Sequence, residues 1–291
     1  MSTTPLTSTL GAATDTRSER RRLSPTLWIG ATLVGLVILV AVISFFWTPY
    51  DPVAVDAPSR LMGPSGAHWL GTDALGRDVF SQMEFGARTT MFVGVIAVGV
   101  GAIGGIPLGV VAGMSGRFVS EPILRLIDIL LAFPALLLAI LFGAVWGAST
   151  LTAMLAIGIA TAPGFARLSR AGTLQVMSTE YVLAARVAGK GKWVIAVRHV
   201  LPNVSGLLIV QASVSYGIAV LAEAALSYLG FGTPPPTPSW GRILLEAQTL
   251  LFTDPLLSLW PAAAIALAVL GFNLLGDGLR DRFDPQLDDR R

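Results

Sequence analysis

Residues 180–203 have the sequence EYVLAARVAGKGKWVIAVRHVLPN, a basic segment broken by two glycines within an otherwise apolar chain. Its first part suits a helix, because its alanines are strong helix formers. Gly189 and Gly191 predict a break, and a second helical stretch at 193–201 is expected to stop before Pro202. The segment is therefore predicted to form a helix, a turn and a second helix, with basic side chains around the turn.

The chain around this segment is strongly apolar. Hydrophobic residues make up 53% of its 291 residues and charged residues only 13%, with a mean hydropathy of +0.69. This composition is typical of membrane proteins, so we expect membrane lipid to surround most of the chain. A net charge of +2 gives no basis for a nucleic-acid partner. The sequence has no cysteine, which excludes disulfides, Cys-ligated metals and thiol catalysis.

Six apolar stretches predict an all-α membrane protein with six transmembrane helices, at residues 27–47, 91–114, 127–146, 151–165, 204–229 and 257–275. The first stretch follows a basic cluster, as the apolar part of a secretory signal peptide does. It ends in Phe45, Phe46, Trp47 and Pro49 rather than in a small-residue cleavage site, so we interpret it as a retained span. The third and fourth stretches are separated only by residues 147–150, which predicts a tight helical hairpin.

Basic residues set the predicted orientation, because Lys and Arg accumulate on the cytoplasmic side of membrane spans. With the N-terminus inside, the only external members of the 20 Lys and Arg residues are Arg60, Arg77, Arg88 and Arg242. Both termini are therefore predicted to be cytoplasmic. The predicted organisation is an inner tail at 1–26, a first span at 27–47, an external loop at 48–90, a core domain of five spans at 91–279 that contains the inner loop 166–203, and an inner tail at 280–291.

Glycines recur at every fourth position of the second span, at Gly101, Gly105, Gly109 and Gly113. This spacing places four positions without side chains on one helical face, where a neighbouring helix can approach closely. We favour close packing over the alternative that these glycines form a hinge for conformational change.

A few polar residues lie in or beside the predicted spans. Glu223 and Asn273 are candidates for lining a solute path, since ionisable and polar groups are costly at membrane depth. The alternative for Glu223 is hydrogen bonding between helices. In the external loop, Asp73, Arg77 and Asp78 could meet a partner protein or simply order a glycine-flanked turn. No second histidine lies at ligand spacing from His68, so no metal site is expected.

The segment 180–203 resembles the cytoplasmic signature of ABC import permeases, which is Glu-Ala-Ala, three residues, Gly, nine residues and Ile-x-Leu-Pro. Leu183 stands where the general family has Glu, and His199 stands where it has Ile. With these departures, 181–186 and 198–203 look like the dipeptide, oligopeptide and nickel branch. Further segments are similar to the second permease subunit of that branch, namely 70–78, 86–88, 132–134, 223–227, 238–241 and 272–277.

The resemblance implies a metal-insertion-type ABC importer permease fold in the inner membrane. It implies four partners: a homologous permease, two ATPase subunits that bind ATP and Mg²⁺, and an extracytoplasmic solute-binding protein. Asp73, Arg77 and Asp78 would dock the binding protein, and Glu223 and Asn273 would line the path. The chain itself would hold no cofactor, metal or catalytic site. The residues expected to couple to the ATPases are Ala184, Ala185, Arg186, Gly189, Lys190, Gly191, Arg198, His199, Leu201 and Pro202.

The sequence also limits how transport could be powered. No Gly-x-x-x-x-Gly-Lys-Ser/Thr phosphate loop occurs, so the chain cannot bind ATP by that route. A secondary transporter would instead predict paired buried acids, and only Glu223 is a fair candidate. An intramembrane enzyme is disfavoured because the sequence has no His-Glu-x-x-His and no pair of mid-span aspartates. Peptides are favoured over nickel as cargo, since no His-rich or Met-rich path is visible.

Overall fold

The structure is a computed structural model that describes residues 24–283. The predicted tails at 1–26 and 280–291 therefore lie mostly outside the described residues. Within the described part of the chain the regular structure is helical, and a single isolated β-bridge joins Thr72 and Asp78. This confirms the all-α prediction.

Five helices are long and apolar enough to cross a membrane, and a bent helix pair raises the count to six if the pair is one span. The helices are α1 Pro25–Ile43, α2 Val79–Met114, α3 Arg117–Ala132, α4 Ala135–Trp146, α5 Thr150–Met177, α6 Glu180–Val187, α7 Lys192–Ile195, α8 Leu201–Tyr228, α9 Trp240–Ala247 and α10 Leu256–Phe283.

Helix α2 corrects the predicted boundary of the external loop. The prediction placed residues 79–90 in that loop, but α2 already begins at Val79. The Asp78 carboxylate caps it by accepting a hydrogen bond from the backbone N–H of Ser81 at 2.8 Å. The first turns carry the polar residues Gln82 and Glu84, so hydropathy did not mark them as part of a span. The segment after α1, which was predicted to be external, consequently ends at Asp78.

The predicted third span, 127–146, is not one continuous helix. It is divided between α3 and α4, whose axes differ by 86°. Phe133 at the break has extended backbone angles, with φ −87° and ψ 125°. The following Pro134 explains the break, because proline disfavours helical geometry in the preceding residue. The predicted hairpin is confirmed, since α4 and α5 are joined by a short turn in which Gly147 has a φ of 88°.

Helix α5 is longer than the predicted fourth span, 151–165, and continues to Met177. The loop predicted at 166–203 therefore starts only at Ser178, because residues 166–177 belong to α5. The polar side chains in this extension bond to the helix itself, because Ser169 donates to the carbonyl of Phe165 at 2.7 Å and Thr173 to that of Ser169 at 2.6 Å. Such local bonding lets polar residues continue a helix that hydropathy alone would end.

The glycine face of α2 packs directly on α5, which confirms the predicted close approach. A Cβ atom at Gly105 or Gly109 would collide with the α5 backbone, at the carbonyls of Ala162 and Ala166. A Cβ atom at Gly113 would meet the Thr173 side chain at 2.8 Å. At Gly104, off this face, the nearest atom would be 3.9 Å away. The spacing of four residues therefore produces a backbone-to-backbone contact between α2 and α5.

Helix α1 packs along α10 in a similar way. A Cβ atom at Gly278 would lie 2.6 Å from the backbone of Leu27, and one at Gly271 would lie 2.9 Å from the Leu33 side chain. Helix α10 ends at Phe283, eight residues beyond Leu275, where the sixth span was predicted to end. The apolar cores between these helices place α8 at the centre, in contact with α2, α5 and α10.

Candidate functional site

The segment between α6 and α7 forms the predicted turn. Gly189 has a φ of 76°, a left-handed conformation that side chains disfavour. The backbone N–H of Gly189 bonds the carbonyl of Arg186 at 2.9 Å, and that of Lys190 bonds the carbonyl of Ala185 at 3.1 Å. These two bonds form the Schellman motif, in which a glycine ends a helix. The local sequence therefore explains the break at Gly189. We call residues 186–193 the knuckle.

The knuckle presents apolar side chains to its surroundings. Val187 is 91% exposed and Trp193 is 79% exposed, on either side of Gly189. Lys190 and Lys192 are exposed between them. An exposed tryptophan flanked by cations is typical of a surface that a partner protein covers. Sequence reasoning missed Val187 and Trp193, although apolar residues beside a glycine in a basic loop were a usable signal.

Buried residues hold the knuckle to the bundle. Val182 on α6 and Ile195 on α7 are fully enclosed, and they pack with Val176 of α5 and Val204 of α8. Ala185 belongs to this buried side, whereas Ala184 and Arg186 are exposed. The helix pair therefore has one face anchored to the bundle and one face open.

The predicted helix end before Pro202 is wrong. Helix α7 continues through a π-helical turn, Ala196–Val200, directly into α8. The Leu201 N–H bonds the carbonyl of Ala196, five residues earlier, and this wider spacing accommodates a proline that has no N–H of its own. Residues 192–228 consequently form one uninterrupted helix of 37 residues.

The remaining predicted coupling residues lie around this π-helical turn. Arg198 and Pro202 are exposed, and Leu201 is half-buried. The His199 ring lies 6.0 Å from the Tyr181 ring on α6, and its Nε2 has no hydrogen-bond partner within residues 24–283. The structure thus brings both halves of the predicted coupling set, 184–191 and 198–202, to the same end of the bundle.

Glu223 is enclosed within the described chain and has no exposed surface. Its carboxylate accepts hydrogen bonds from the hydroxyls of Ser227 at 2.7 Å, Thr90 at 3.3 Å and Thr233 at 3.4 Å. These contacts agree with the alternative expectation of hydrogen bonding between helices.

Asn273 has a different environment and is not brought to Glu223. It is exposed on α10 and lines an apolar groove of about 630 Å³ between α8, α9 and α10. Leu221 and Val269 are among the groove's other lining residues. Of the two residues predicted to line a solute path, only Asn273 therefore faces open space in this chain.

Asp73, Arg77 and Asp78 are bound into the turn before α2. The Arg77 guanidinium donates to Asp73 at 2.6 Å and also pairs with Glu246 on α9. Asp78 contacts Nδ1 of His68 at 2.9 Å while it caps α2. Arg77 and Asp78 are buried, so both side chains already have partners within the chain. No local pattern indicates Glu246 as a partner of Arg77, because it lies 169 residues away.

Electrostatics in this turn favour the charged form of Arg77. Burial alone lowers the pKa of a guanidinium, but the neighbouring Asp73 and Glu246 carboxylates outweigh it, and the net pKa of Arg77 is raised. Arg242 pairs with the same Glu246 at 2.8 Å. Among residues 24–283, no group of His, Cys, Asp or Glu side chains is arranged to hold a metal ion.

Known proteins are similar in sequence to this chain over most of its length. The chain is 40% identical over 259 residues to the dipeptide transport system permease protein DppC of Alkalihalophilus pseudofirmus, covering 89% of this chain and 85% of the relative. It is 41% identical over 262 residues to the glutathione transport system permease protein GsiD of Pectobacterium atrosepticum, covering 88% and 87%.

A solved structure supports the fold. The MetNI methionine ABC transporter in an inward-facing conformation has a chain that matches 68% of this one and 94% of its own length, with a TM-score of 0.56 and 17% identity. Residues 105–289 match the family described as the binding-protein-dependent transport system inner membrane component. The chain therefore belongs to this family, the permeases of ABC importers.

Proposed function

We propose that this chain is one of two permease subunits of a short-peptide importer, and that a separate ATPase docks on its knuckle. The observation that carries the docking proposal is the exposed apolar pair Val187 and Trp193 beside the turn at Gly189. Relatives named for dipeptide and glutathione transport support the cargo class. Glutathione is itself a short peptide, so both names indicate the same class of solute.

The knuckle has the shape and charge of a docking element. The tip of the knuckle is formed by small residues at the turn around Gly189. Trp193 provides a large exposed apolar surface beside this tip. Exposed Arg186, Lys190 and Lys192 would meet acidic residues at the rim of a partner groove. In this proposal the chain itself binds no nucleotide, and the two ATPase subunits hold ATP and Mg²⁺.

The continuous helix 192–228 suggests how ATP use would reach the membrane. ATP binding would close the two ATPases and move the knuckle with them. Because the helix is unbroken from Lys192 to Tyr228, displacement of its inner end would move α8 as a unit. Rocking of α8 would open the path alternately to each side, and Asn273 in the groove beside α8 would contact the solute.

Orientation follows from the same assignment. Six spans place both termini on one side, and the basic residues of the knuckle identify this side as the cytoplasm. The external turn with Asp73, Arg77 and Asp78 then faces the solute-binding protein. Since Arg77 and Asp78 are buried, we propose that they support this surface while exposed Leu75 beside them makes the contact.

Uptake by the reconstituted complex tests the proposal. The chain would be placed in proteoliposomes with its homologous permease, its ATPases and its binding protein, and uptake of labelled dipeptide, glutathione and Ni²⁺ would be compared with and without ATP. ATP-dependent uptake of a peptide is expected. Uptake without any co-purifying ATPase would contradict the proposal, and ATP-driven uptake of Ni²⁺ alone would contradict the cargo.

A further inference from the structure

Glu223 lies where the outer end of the helix 192–228 meets three other parts of the chain. Its hydroxyl partners come from α2, through Thr90, from its own helix, through Ser227, and from the loop after α8, through Thr233. Helix α9 begins beside this cluster and is capped by the Ser239 hydroxyl, which accepts from the backbone N–H of Arg242 at 3.2 Å. Among the described residues every partner of this carboxylate is a hydroxyl.

Tight packing surrounds this cluster. Gly232 lies so close to Ser227 that a Cβ atom would be 2.6 Å from its backbone nitrogen, and Gly241 is pressed equally against Ala224. Trp240 donates its indole N–H to the carbonyl of Met83 on α2 at 3.0 Å. We call residues 71–78 together with 230–251 the outer cap. The cap is thus fixed to α8 and α2 by bonds that converge around Glu223.

The same helix connects the outer cap to the knuckle. Residues 192–228 are one helix, so about 55 Å separate its ends at 1.5 Å per residue. Lys192 at its inner end belongs to the proposed ATPase-docking surface, and Glu223 lies in its last two turns. A rigid element with one end at each partner surface can carry a displacement between them.

From this geometry we propose that Glu223 is a positioning residue that fastens the outer cap to the helix 192–228, so that docking of the binding protein is transmitted to the ATPases. The proposal rests on the proposed function, because it needs both partners. It replaces the expected role of Glu223 in the solute path, since the side chain is enclosed and does not line the groove at Asn273.

Two variants separate fastening from a general loss of structure. Glu223→Leu substitutes an apolar side chain of similar volume and removes the acceptor for three hydroxyls. Thr233→Val preserves shape and removes the bond from the cap to Glu223, together with a long contact at 3.5 Å from the Thr150 hydroxyl. Tyr216→Phe is the matched control, because it removes an α8 to α2 hydrogen bond, from the Tyr216 hydroxyl to the Met91 carbonyl at 2.5 Å, without touching the cap.

The measurement is the ratio of ATPase rates with and without the peptide-loaded binding protein, in the complete reconstituted complex. Glu223→Leu is expected to lower this ratio about fivefold or more, within the usual range of coupling between sites, and Thr233→Val to lower it less. Tyr216→Phe should leave the ratio at the wild-type value. The peptide concentration for half-maximal uptake by Thr233→Val is expected to stay unchanged.

Three results would overturn the inference. One is a wild-type ratio in both Glu223→Leu and Thr233→Val. Another is an equal fall of both rates, which would indicate a purely structural role. The third is a changed peptide dependence with an unchanged ratio, which would return this site to the solute path. Failure of the proposed function looks different, because the wild-type complex itself would show no ATP-dependent peptide uptake.

Discussion

The knuckle and the outer cap are both polar regions outside the apolar bundle, yet their side chains are used in opposite ways. In the knuckle, Val187 and Trp193 are exposed and the basic residues have open surroundings. In the outer cap, Arg77, Asp78 and Trp240 are buried and bonded within the chain. Surface that is left open is available to a partner, whereas surface that is already paired maintains shape.

The largest effect should come from breaking the tip of the knuckle. Gly189→Glu is expected to abolish peptide uptake while the protein stays in the membrane, because a bulky charged side chain blocks docking and strains a φ of 76°. Gly189→Asn should retain part of the activity, since asparagine tolerates this backbone region. Uptake and membrane content would be measured together, and normal transport by Gly189→Glu would contradict the docking role.

Two tryptophans test the contrast between open and buried surface. Trp240→Ala should lower the free energy of unfolding by about 3–5 kcal/mol, because a buried aromatic group and its hydrogen bond are lost. Trp193→Ala should leave thermal stability of the purified chain within about 0.5 kcal/mol but weaken ATPase co-purification about tenfold. Equal stability losses in the two variants would remove the distinction.

Ion pairs give a smaller test of the same contrast. Arg77→Met should destabilise the chain by about 2–3 kcal/mol, since it leaves Asp73 and Glu246 without their shared cation in a partly buried turn. Arg117→Met breaks an ion pair with Glu121 in which the two side chains are 83% and 45% exposed, and should cost less than about 0.5 kcal/mol. Thermal unfolding in detergent compares the two variants. A larger loss of stability in Arg117→Met than in Arg77→Met would contradict a stabilising role for Arg77 in the turn before α2.

A smaller effect than that of Arg77→Met is expected at the cap of α2. Asp78→Ala should cost about 1 kcal/mol, because the Ser81 N–H loses its acceptor at the helix start. Asp78→Asn should recover most of this loss, since an amide oxygen can also cap a helix. Unfolding of both variants would be compared with binding-protein affinity. A loss of affinity in Asp78→Asn without a loss of stability would instead support direct docking by Asp78.

Much of the fold could be predicted from local patterns. The apolar stretches, the glycine face of α2 and the turn at Gly189 were confirmed, since each depends on residues within a few positions of one another. The bend at Phe133 and the start of α2 at Val79 were not predicted, and the helix end predicted before Pro202 is wrong. Pro134 bends the predicted third span, and polar residues in the first turns of α2 hide its start from a hydropathy pattern. The π-helical turn before Pro202 lets the helix continue where proline usually ends one.

The sequence by itself determined the membrane class, the break at Gly189 and the family resemblance, because hydropathy, glycine conformation and motif spacing are short-range properties. Only the tertiary structure decided which polar residues are open and which are enclosed. Arg77 meets Glu246 across 169 residues, and Glu223 meets Thr90 across 133. Such partners are chosen by the packing of α2, α8 and α9, and no local pattern specifies them.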